Sequence, residues 1–83
     1  MVVDELKDIP KVVGVKQTVK ALQKNLVAVL YIAKDAESRI TEPVETQAKA
    51  KGIEIIKVPS MKELGKTFGI EVGAAVAAVL IQK

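Results

Sequence analysis

The residues with the clearest capacity for chemistry are a glycine and three lysines near the start of the chain. Gly14 is followed by Lys16, Lys20 and Lys24, so the lysines recur every four residues. On a helix this spacing forms one ridge, where each pair of like charges costs about 0.3 kcal/mol. A helix start also presents unpaired N–H groups and a partial positive charge, which attract anions. The pattern favours a polyanionic ligand, and its alternative is a solvated lysine-rich face.

Charge is distributed unevenly along the chain, although the net charge is only +3. No acidic residue lies between Asp8 and Asp35, and the segment that follows Asp35 carries Glu37, Glu42 and Glu45. We therefore expect one side of the molecule to be basic, as in a nucleic-acid-binding surface. The lysines within the acid-free segment are Lys11, Lys16, Lys20, Lys24 and Lys34.

The residue types present support enzymatic chemistry poorly. The chain has no cysteine and no histidine, which excludes thiolate catalysis, cysteine zinc sites and the usual general base. Asp35 follows a buried strand, where a carboxylate could bind a metal, but a role as a turn or helix-cap residue is the stronger interpretation. Ser60 is likewise better explained as a helix cap. We expect a non-enzymatic protein that uses no metal or cofactor.

Length and hydropathy indicate a small globular protein. Its 83 residues allow one domain, expected over 1–83, and 49% apolar but only 2% aromatic residues require an aliphatic core. The N-terminal residues have neither the basic flank nor the apolar run of a signal peptide. The longest apolar run, from Val72 to Ile81, is about half of a membrane span. We expect a soluble, cytoplasmic, monomeric protein that has no membrane partner.

The elements that must position the lysines alternate between strand and helix patterns. Val19, Leu22 and Leu26 form a helical stripe, whereas the apolar run Val27–Ala33 is typical of a strand buried on both faces. The alternation predicts an α/β fold with helices on both faces of a four-stranded sheet. In order, the predicted elements are a short helix over Asp4–Ile9, a strand over Lys11–Gly14, a helix over Lys16–Asn25, a strand over Val27–Ala33, a helix from Thr41 to Gly52, a strand over Ile53–Val58, a helix from Ser60 to Gly69 and a strand over Val76–Ile81.

The middle helix has a predicted start and a predicted buried side. Thr41 is expected to be its N-cap, with Pro43 tolerated in the first turn. Ile40, Val44 and Ala48 are expected to share one side of the helix.

The last helix carries a capping box, in which Ser60 and Glu63 satisfy each other's N–H groups. Gly65 inside this helix costs about 1 kcal/mol relative to alanine, so it predicts a close backbone contact. The expected apolar stripe of the helix consists of Met61, Leu64 and Phe68.

Aromatic stacking cannot be the main mode of RNA binding, because the chain has only Tyr31 and Phe68. RNA would be read instead by a helix start, lysines and backbone, which suits a structured RNA with an opened groove. Four segments, in order and spacing, resemble the signature of the kink-turn-binding ribosomal proteins of the L7Ae family, and the short length is similar to that of the small bacterial members. These segments are Gly14–Leu22, Ala33–Ala36, Val58–Gly65 and Phe68–Ala75.

The resemblance implies a three-layer α/β/α sandwich with a mixed four-stranded sheet. It also implies binding to the kink-turn, an RNA bend built on tandem sheared G·A pairs, in ribosomal RNA or a riboswitch. In the family, the segment that matches Gly14–Lys20 enters the widened groove, and the loop that matches Ile70–Gly73 packs against a flipped-out nucleotide. The RNA-binding residues implied in this sequence are Gly14, Val15, Lys16, Gln17, Lys20, Lys24, Ile70, Glu71, Val72 and Gly73.

One pair of residues differs from the family's usual pattern. Archaeal and eukaryotic members usually have Asn-Glu where this chain has Lys16 and Gln17. A glutamine carbonyl would then replace the carboxylate as a guanine-edge acceptor, and the added lysine would increase the contribution of phosphate contacts. The alternative functions are an RNA-recognition module of an RNA-modifying enzyme, which a fused catalytic domain would identify, and a ribosome-assembly scaffold.

Overall fold

The computed structural model describes residues 10–81, so the helix expected over Asp4–Ile9 lies outside the described part of the chain. Strands and helices alternate along these residues, as the sequence predicts. No helix among them is long and apolar enough to cross a membrane. The elements are β1 (Lys11–Val13), α1 (Val15–Gln23), β2 (Val27–Ala33), α2 (Ser38–Ala50), β3 (Glu54–Val58), α3 (Met61–Thr67) and β4 (Val76–Leu80).

The four strands form one mixed sheet in the order β1-β4-β2-β3. β2 and β3 are parallel, whereas β4 is antiparallel to both of its neighbours, β1 and β2. It follows that β1, β2 and β3 all end at the same end of the sheet, where β4 begins. This end, called here the carboxyl end of the sheet, gathers the turns that follow three strands and the loop that precedes the fourth.

Alternation along the central strands divides the apolar residues between two cores. Leu30 and Ile32 of β2 join a core that includes Leu22 of α1 and Val44 of α2. The opposite face of β2 joins a smaller core beneath α3. Helices therefore cover both faces, two on one and one on the other, and the predicted three-layer sandwich is confirmed. The smaller core contains Ala33, Leu64, Phe68, Ala74 and Ala77, with Tyr31 packed against it.

The three helices of the described segment end in the same way, with one residue in the left-handed region. These residues are Asn25, Gly52 and Gly69, at φ values of 59°, 70° and 74°. In each case the following N–H group bonds back into the last helical turn, as between Ile70 N–H and the Gly65 carbonyl (2.9 Å). This is the Schellman arrangement. The glycine ends predicted for α2 and α3, at Gly52 and Gly69, are confirmed.

The predicted stripe of α1 was wrong at Leu26. The helix stops at Gln23 and the left-handed Asn25 turns the chain, which leaves Leu26 41% exposed. Ala21 and Thr18 occupy the buried side together with Leu22. The spacing of Val19, Leu22 and Leu26 fits the helical period of 3.6 residues, but Leu26 lies beyond the end of the helix.

The predicted start of α2 was also wrong. The helix begins at Ser38 with the extended residue Glu37 as its N-cap, so Thr41 lies inside it and Pro43 is an interior residue. Burial of Thr41 beside Val44 and Ala48 accounts for the extra turn, whereas Ile40 is 39% exposed rather than on the buried side. Pro43 removes one helical N–H donor, on a part of the helix where Pro43 itself faces solvent.

Three strand boundaries differ from the prediction by one residue. β1 ends at Val13, because Gly14 is the N-cap residue of α1. β3 begins at Glu54, because Ile53 donates its N–H to the carbonyl of Ala48 and so completes the end of α2. β4 ends at Leu80, and Ile81 donates its N–H to the carbonyl of Leu26 (2.7 Å).

Candidate nucleic-acid interface

Gly14 adopts a backbone conformation that few other residues tolerate. Its φ is +99° and its ψ is 156°, a region used almost only by glycine. Apart from Gly14 and its two chain neighbours, no atom of residues 10–81 lies within 4 Å of the position that a Cβ would occupy, so this side of the backbone is open. The Gly14 N–H donates to the carbonyl of Val76 (2.9 Å), which fixes the residue at the carboxyl end of the sheet.

The start of α1 directly follows Gly14. Within residues 10–81 no side chain caps the helix here, no acid lies in its first turn, and Thr18 N–H makes a hydrogen bond to the Gly14 carbonyl (3.0 Å). Lys16 and Gln17 are both exposed in this turn, whereas Val15 is half-buried and packs against the larger core. The uncapped N–H groups and the helix dipole therefore reach solvent beside two polar side chains.

The lysine ridge is exposed as predicted. Lys16, Lys20 and Lys24 all face solvent, and none of them forms an ion pair within residues 10–81. By contrast, Lys49 and Lys57 both approach the carboxylate of Glu45, at 3.5 and 3.4 Å. The ridge thus presents charge that nothing in the described chain neutralises.

Lys24 lies far from Gly14 along the same helix. It is the C-cap residue, directly after the last residue of α1, and the nine residues of this helix span about 14 Å. A ligand held at the start of α1 must therefore extend along the whole ridge to reach Lys24, as a nucleic-acid backbone would.

The loop between α3 and β4 separates two apolar residues that the sequence placed together. Ile70 is half-buried and packs against the smaller core, whereas Val72 is 70% exposed. Glu71 and Gly73 are also exposed. Ordinary core packing therefore explains Ile70 but not Val72, which presents an apolar side chain to solvent from a loop.

Two close backbone contacts fix this loop against α3. A Cβ at Gly65 would overlap the carbonyl oxygen of Val72, and a Cβ at Gly73 would lie 3.1 Å from the Cβ of Met61. The Ala74 N–H also donates to the Met61 carbonyl (3.1 Å). The close backbone contact predicted for Gly65 is confirmed, and its partner is the loop itself.

The two segments singled out from the sequence meet at the carboxyl end of the sheet. Gly14 bonds to Val76, which follows the loop 70–73 by only three residues. The start of α1 directly follows β1 and the loop that carries Val72 directly precedes β4, and these two strands are neighbours in the sheet. Lys20 and Lys24 lie further along α1, whereas the other predicted RNA-binding residues belong to these two segments.

Two residues at this end were not among the predicted RNA-binding residues. Lys34 follows β2, is exposed, and donates its backbone N–H to Val58 (2.8 Å). Asp35 accepts a hydrogen bond on Oδ1 from the Met61 N–H (2.8 Å), which confirms its interpretation as a cap, although it caps a helix 26 residues away. Their position directly after a buried strand that has a parallel neighbour was the available signal.

The cap predicted at Ser60 is confirmed. Its hydroxyl oxygen accepts from the Glu63 N–H (3.1 Å), so the first turn of α3 is satisfied by Ser60 and Asp35 together. The N–H groups that these two side chains occupy are thus not available to a ligand, unlike those at the uncapped start of α1. Residues 10–81 contain no cluster of three or more acidic residues that could hold a metal ion.

Comparison with known proteins identifies the family to which this arrangement belongs. A sequence model of the ribosomal protein L7Ae/L30e/S12e/Gadd45 family matches residues 4–83. A curated RNA-binding protein of Bacillus pumilus is 49% identical over 70 residues, covering 84% of this chain and 85% of that protein. An RNA-binding protein of Halalkalibacterium halodurans is 54% identical over 68 residues, covering 82% and 83%.

A solved structure has the same fold at lower sequence identity. It is described as a protein with unknown function from Bacillus halodurans C, and it matches this chain with a TM-score of 0.75 and 23% identity. The match covers 83% of this chain and 69% of that one. At this identity the similarity concerns the fold alone.

Proposed function

Because the chain belongs to the ribosomal protein L7Ae/L30e/S12e/Gadd45 family, we propose that it is a non-catalytic protein that binds structured RNA at the carboxyl end of the sheet. Curated relatives that are about half identical to it are named RNA-binding proteins. The observation that carries the proposal is the start of α1, where Gly14 leaves the backbone open and no side chain of the described segment caps the helix.

The proposed target is the kink-turn, whose sheared G·A pairs widen a groove that side chains can enter. Gly14 permits close approach of the backbone, because any Cβ would project into the space that the RNA occupies. Lys16 and Lys20 donate to guanine O6 and N7 or to nearby phosphates. The Gln17 carbonyl accepts from guanine N–H groups, the role that a glutamate carboxylate usually has in the family.

The loop 70–73 supplies the apolar part of the contact. Val72 is fixed by the backbone contact with Gly65 and is largely exposed, so it can cover a nucleotide that has left the stack without itself rearranging. Ile70 supports this loop from the core side. A preformed apolar contact of this kind costs little conformational entropy on binding.

Lys24 extends the basic surface along the RNA backbone. Its distance from the start of α1 makes it a phosphate contact rather than a base contact. Binding both segments requires the bent RNA, so the protein stabilises the bent conformer over the extended one by the difference in its affinity for the two.

The decisive experiment is a titration with two RNAs that differ only in the G·A pairs. One contains a standard kink-turn, and in the other Watson–Crick pairs replace the sheared G·A pairs. We expect much tighter binding to the first, together with bending of that RNA measured by fluorescence energy transfer between its two arms. Equal affinity for both RNAs would reduce the site to a non-specific basic surface.

A further inference from the structure

We propose that Asp35 is a positioning residue that holds the loop 70–73 in its binding conformation by acting through Met61. The inference rests on the proposed function, because it concerns the second half of the proposed RNA site. Asp35 lies in the turn after β2, and its carboxylate accepts the Met61 N–H at 2.8 Å. A hydrogen bond to a carboxylate is stronger than one between neutral groups, so this bond ties the turn firmly to the start of α3.

Met61 passes this restraint to the loop. Its carbonyl accepts from the Ala74 N–H (3.1 Å), and its Cβ and carbonyl carbon would lie 3.1 and 3.2 Å from a Cβ at Gly73. Asp35 therefore holds the N–H group of Met61, and Ala74 holds its carbonyl group. If Met61 shifts, the end of the loop that carries Val72 shifts with it.

The second cap of α3 provides a comparison within the same helix. Ser60 accepts the Glu63 N–H, so its bond closes one turn of the helix and reaches no other element. Asp35 instead joins a different element, the turn between β2 and α2, to the helix. Removing either cap weakens the helix start, but only removal of Asp35 breaks the bond between Met61 and the turn after β2.

Electrostatics and positioning predict opposite effects at this residue. Asp35 is exposed at an end of the sheet that is proposed to contact phosphates, so loss of its negative charge alone would strengthen RNA binding. Loss of the restraint on Met61 would weaken it. Asparagine separates the two effects, because it removes the charge and keeps an amide oxygen that accepts the same hydrogen bond.

The test compares Asp35→Ala, Asp35→Asn and Ser60→Ala in the full chain. We expect Asp35→Ala to weaken kink-turn RNA binding about five- to tenfold, the size of one lost cap bond, and to speed amide hydrogen exchange at Ala74. Asp35→Asn should bind at least as tightly as the parent chain. Ser60→Ala should lower the unfolding temperature but leave both RNA affinity and exchange at Ala74 unchanged.

The proposal is overturned if Asp35→Ala binds RNA as well as the parent chain, or loses no more affinity than Ser60→Ala. If the parent chain does not bind kink-turn RNA, the proposed function fails while the link from Asp35 to the loop is still decided by exchange. Exchange at Ala74 that is equally fast in the Asp35→Ala variant, the Asp35→Asn variant and the parent chain would exclude that link.

Discussion

The carbonyl oxygen of Val72 occupies the place where a Cβ of Gly65 would otherwise lie. Gly65 is buried inside α3, and the loop that carries Val72 approaches the helix backbone through the gap that glycine leaves. The position of the most exposed apolar residue of the proposed interface is thus set by a missing side chain on the neighbouring helix.

Gly65→Ala should therefore destabilise the protein, although alanine is the better helix former. The intrinsic gain is about 1 kcal/mol, but overlap with a backbone carbonyl cannot be relieved by a rotamer change and should cost more. We expect a net loss of about 1–3 kcal/mol in the free energy of unfolding, measured by urea denaturation, together with weaker RNA binding. Thr67→Ala, at an exposed position of the same helix, is the control. It removes only a solvent-exposed bond from the Thr67 hydroxyl to the Glu63 carbonyl (2.9 Å) and should change both quantities little. A Gly65→Ala variant as stable as its parent would contradict the close contact.

Val72→Ala should separate binding from stability. The side chain is 70% exposed, so its truncation should change the free energy of unfolding by less than about 0.5 kcal/mol. The loss of about two methylene equivalents from an RNA contact should weaken binding by about 1–2 kcal/mol, measured by calorimetric titration with the kink-turn RNA.

Ile70→Ala is the matched variant in the same loop. It should lower stability more than RNA affinity, the opposite of Val72→Ala. Ile70 packs against the smaller core, so its truncation should reduce stability. Unchanged RNA affinity in Val72→Ala would remove this residue from the interface and leave only the α1 side of the proposed site.

Lys20→Ala and Lys24→Ala should change RNA binding in different ways. Lys20 lies one turn from the uncapped helix start, and its loss should cost about 1–3 kcal/mol if it contacts a base edge. Lys24 ends the helix, and its loss should lower the slope of log K against log salt by about one unit without altering preference for the G·A pairs. The measurement is a salt-dependent titration of each variant with both RNAs.

Lys49→Ala is the control for loss of one positive charge. Lys49 lies on α2 and approaches Glu45 (3.5 Å), so it stands outside the ridge. A salt slope lowered equally by Lys49→Ala and Lys24→Ala would show a diffuse electrostatic effect rather than a phosphate contact at Lys24.

Thr18→Val should stabilise the protein and leave RNA binding unchanged. Thr18 is fully buried on the core side of α1, and its hydroxyl has no hydrogen-bond partner among residues 10–81. Valine keeps the branched shape and removes the unpaired polar group, for an expected gain of about 1 kcal/mol in unfolding free energy. Thr41→Val should gain less, because the Thr41 hydroxyl makes a long bond to the Ser38 carbonyl (3.5 Å). A loss of stability in Thr18→Val would indicate a partner such as a bound water.

The sequence predicted an element correctly where the residues of that element alone determine its bounds. The strand Val27–Ala33 was predicted to the residue, because burial on both faces leaves an unbroken apolar run. The start of α2 was misplaced, because Pro43 favours a nearby helix start whereas burial of Thr41 against the sheet favours an earlier one. The second influence depends on packing, which sequence spacing does not contain.

The candidate site also has features that the sequence predicts and features that depend on tertiary packing. Gly14 and the lysine ridge follow from residue types and periodicity, and the structure confirms the turn at Gly14 and the exposure of the three lysines. The bond from Asp35 to Met61 depends on the parallel pairing of β2 with β3, which brings together two turns that are distant in sequence. The different burial of Ile70 and Val72 depends on the contact with Gly65, so no pattern within the loop could have predicted it.

The hydrogen bond between Gly14 and Val76 also dictates when the interface is assembled. β4 is an interior strand of the sheet, inserted between β1 and β2, and it is the last strand of the described chain. Until it enters, Gly14 has no anchor and the loop 70–73 has no end point. The surface therefore cannot exist before β4 has joined the sheet, and an RNA that binds only this folded form would in turn favour the completed sheet.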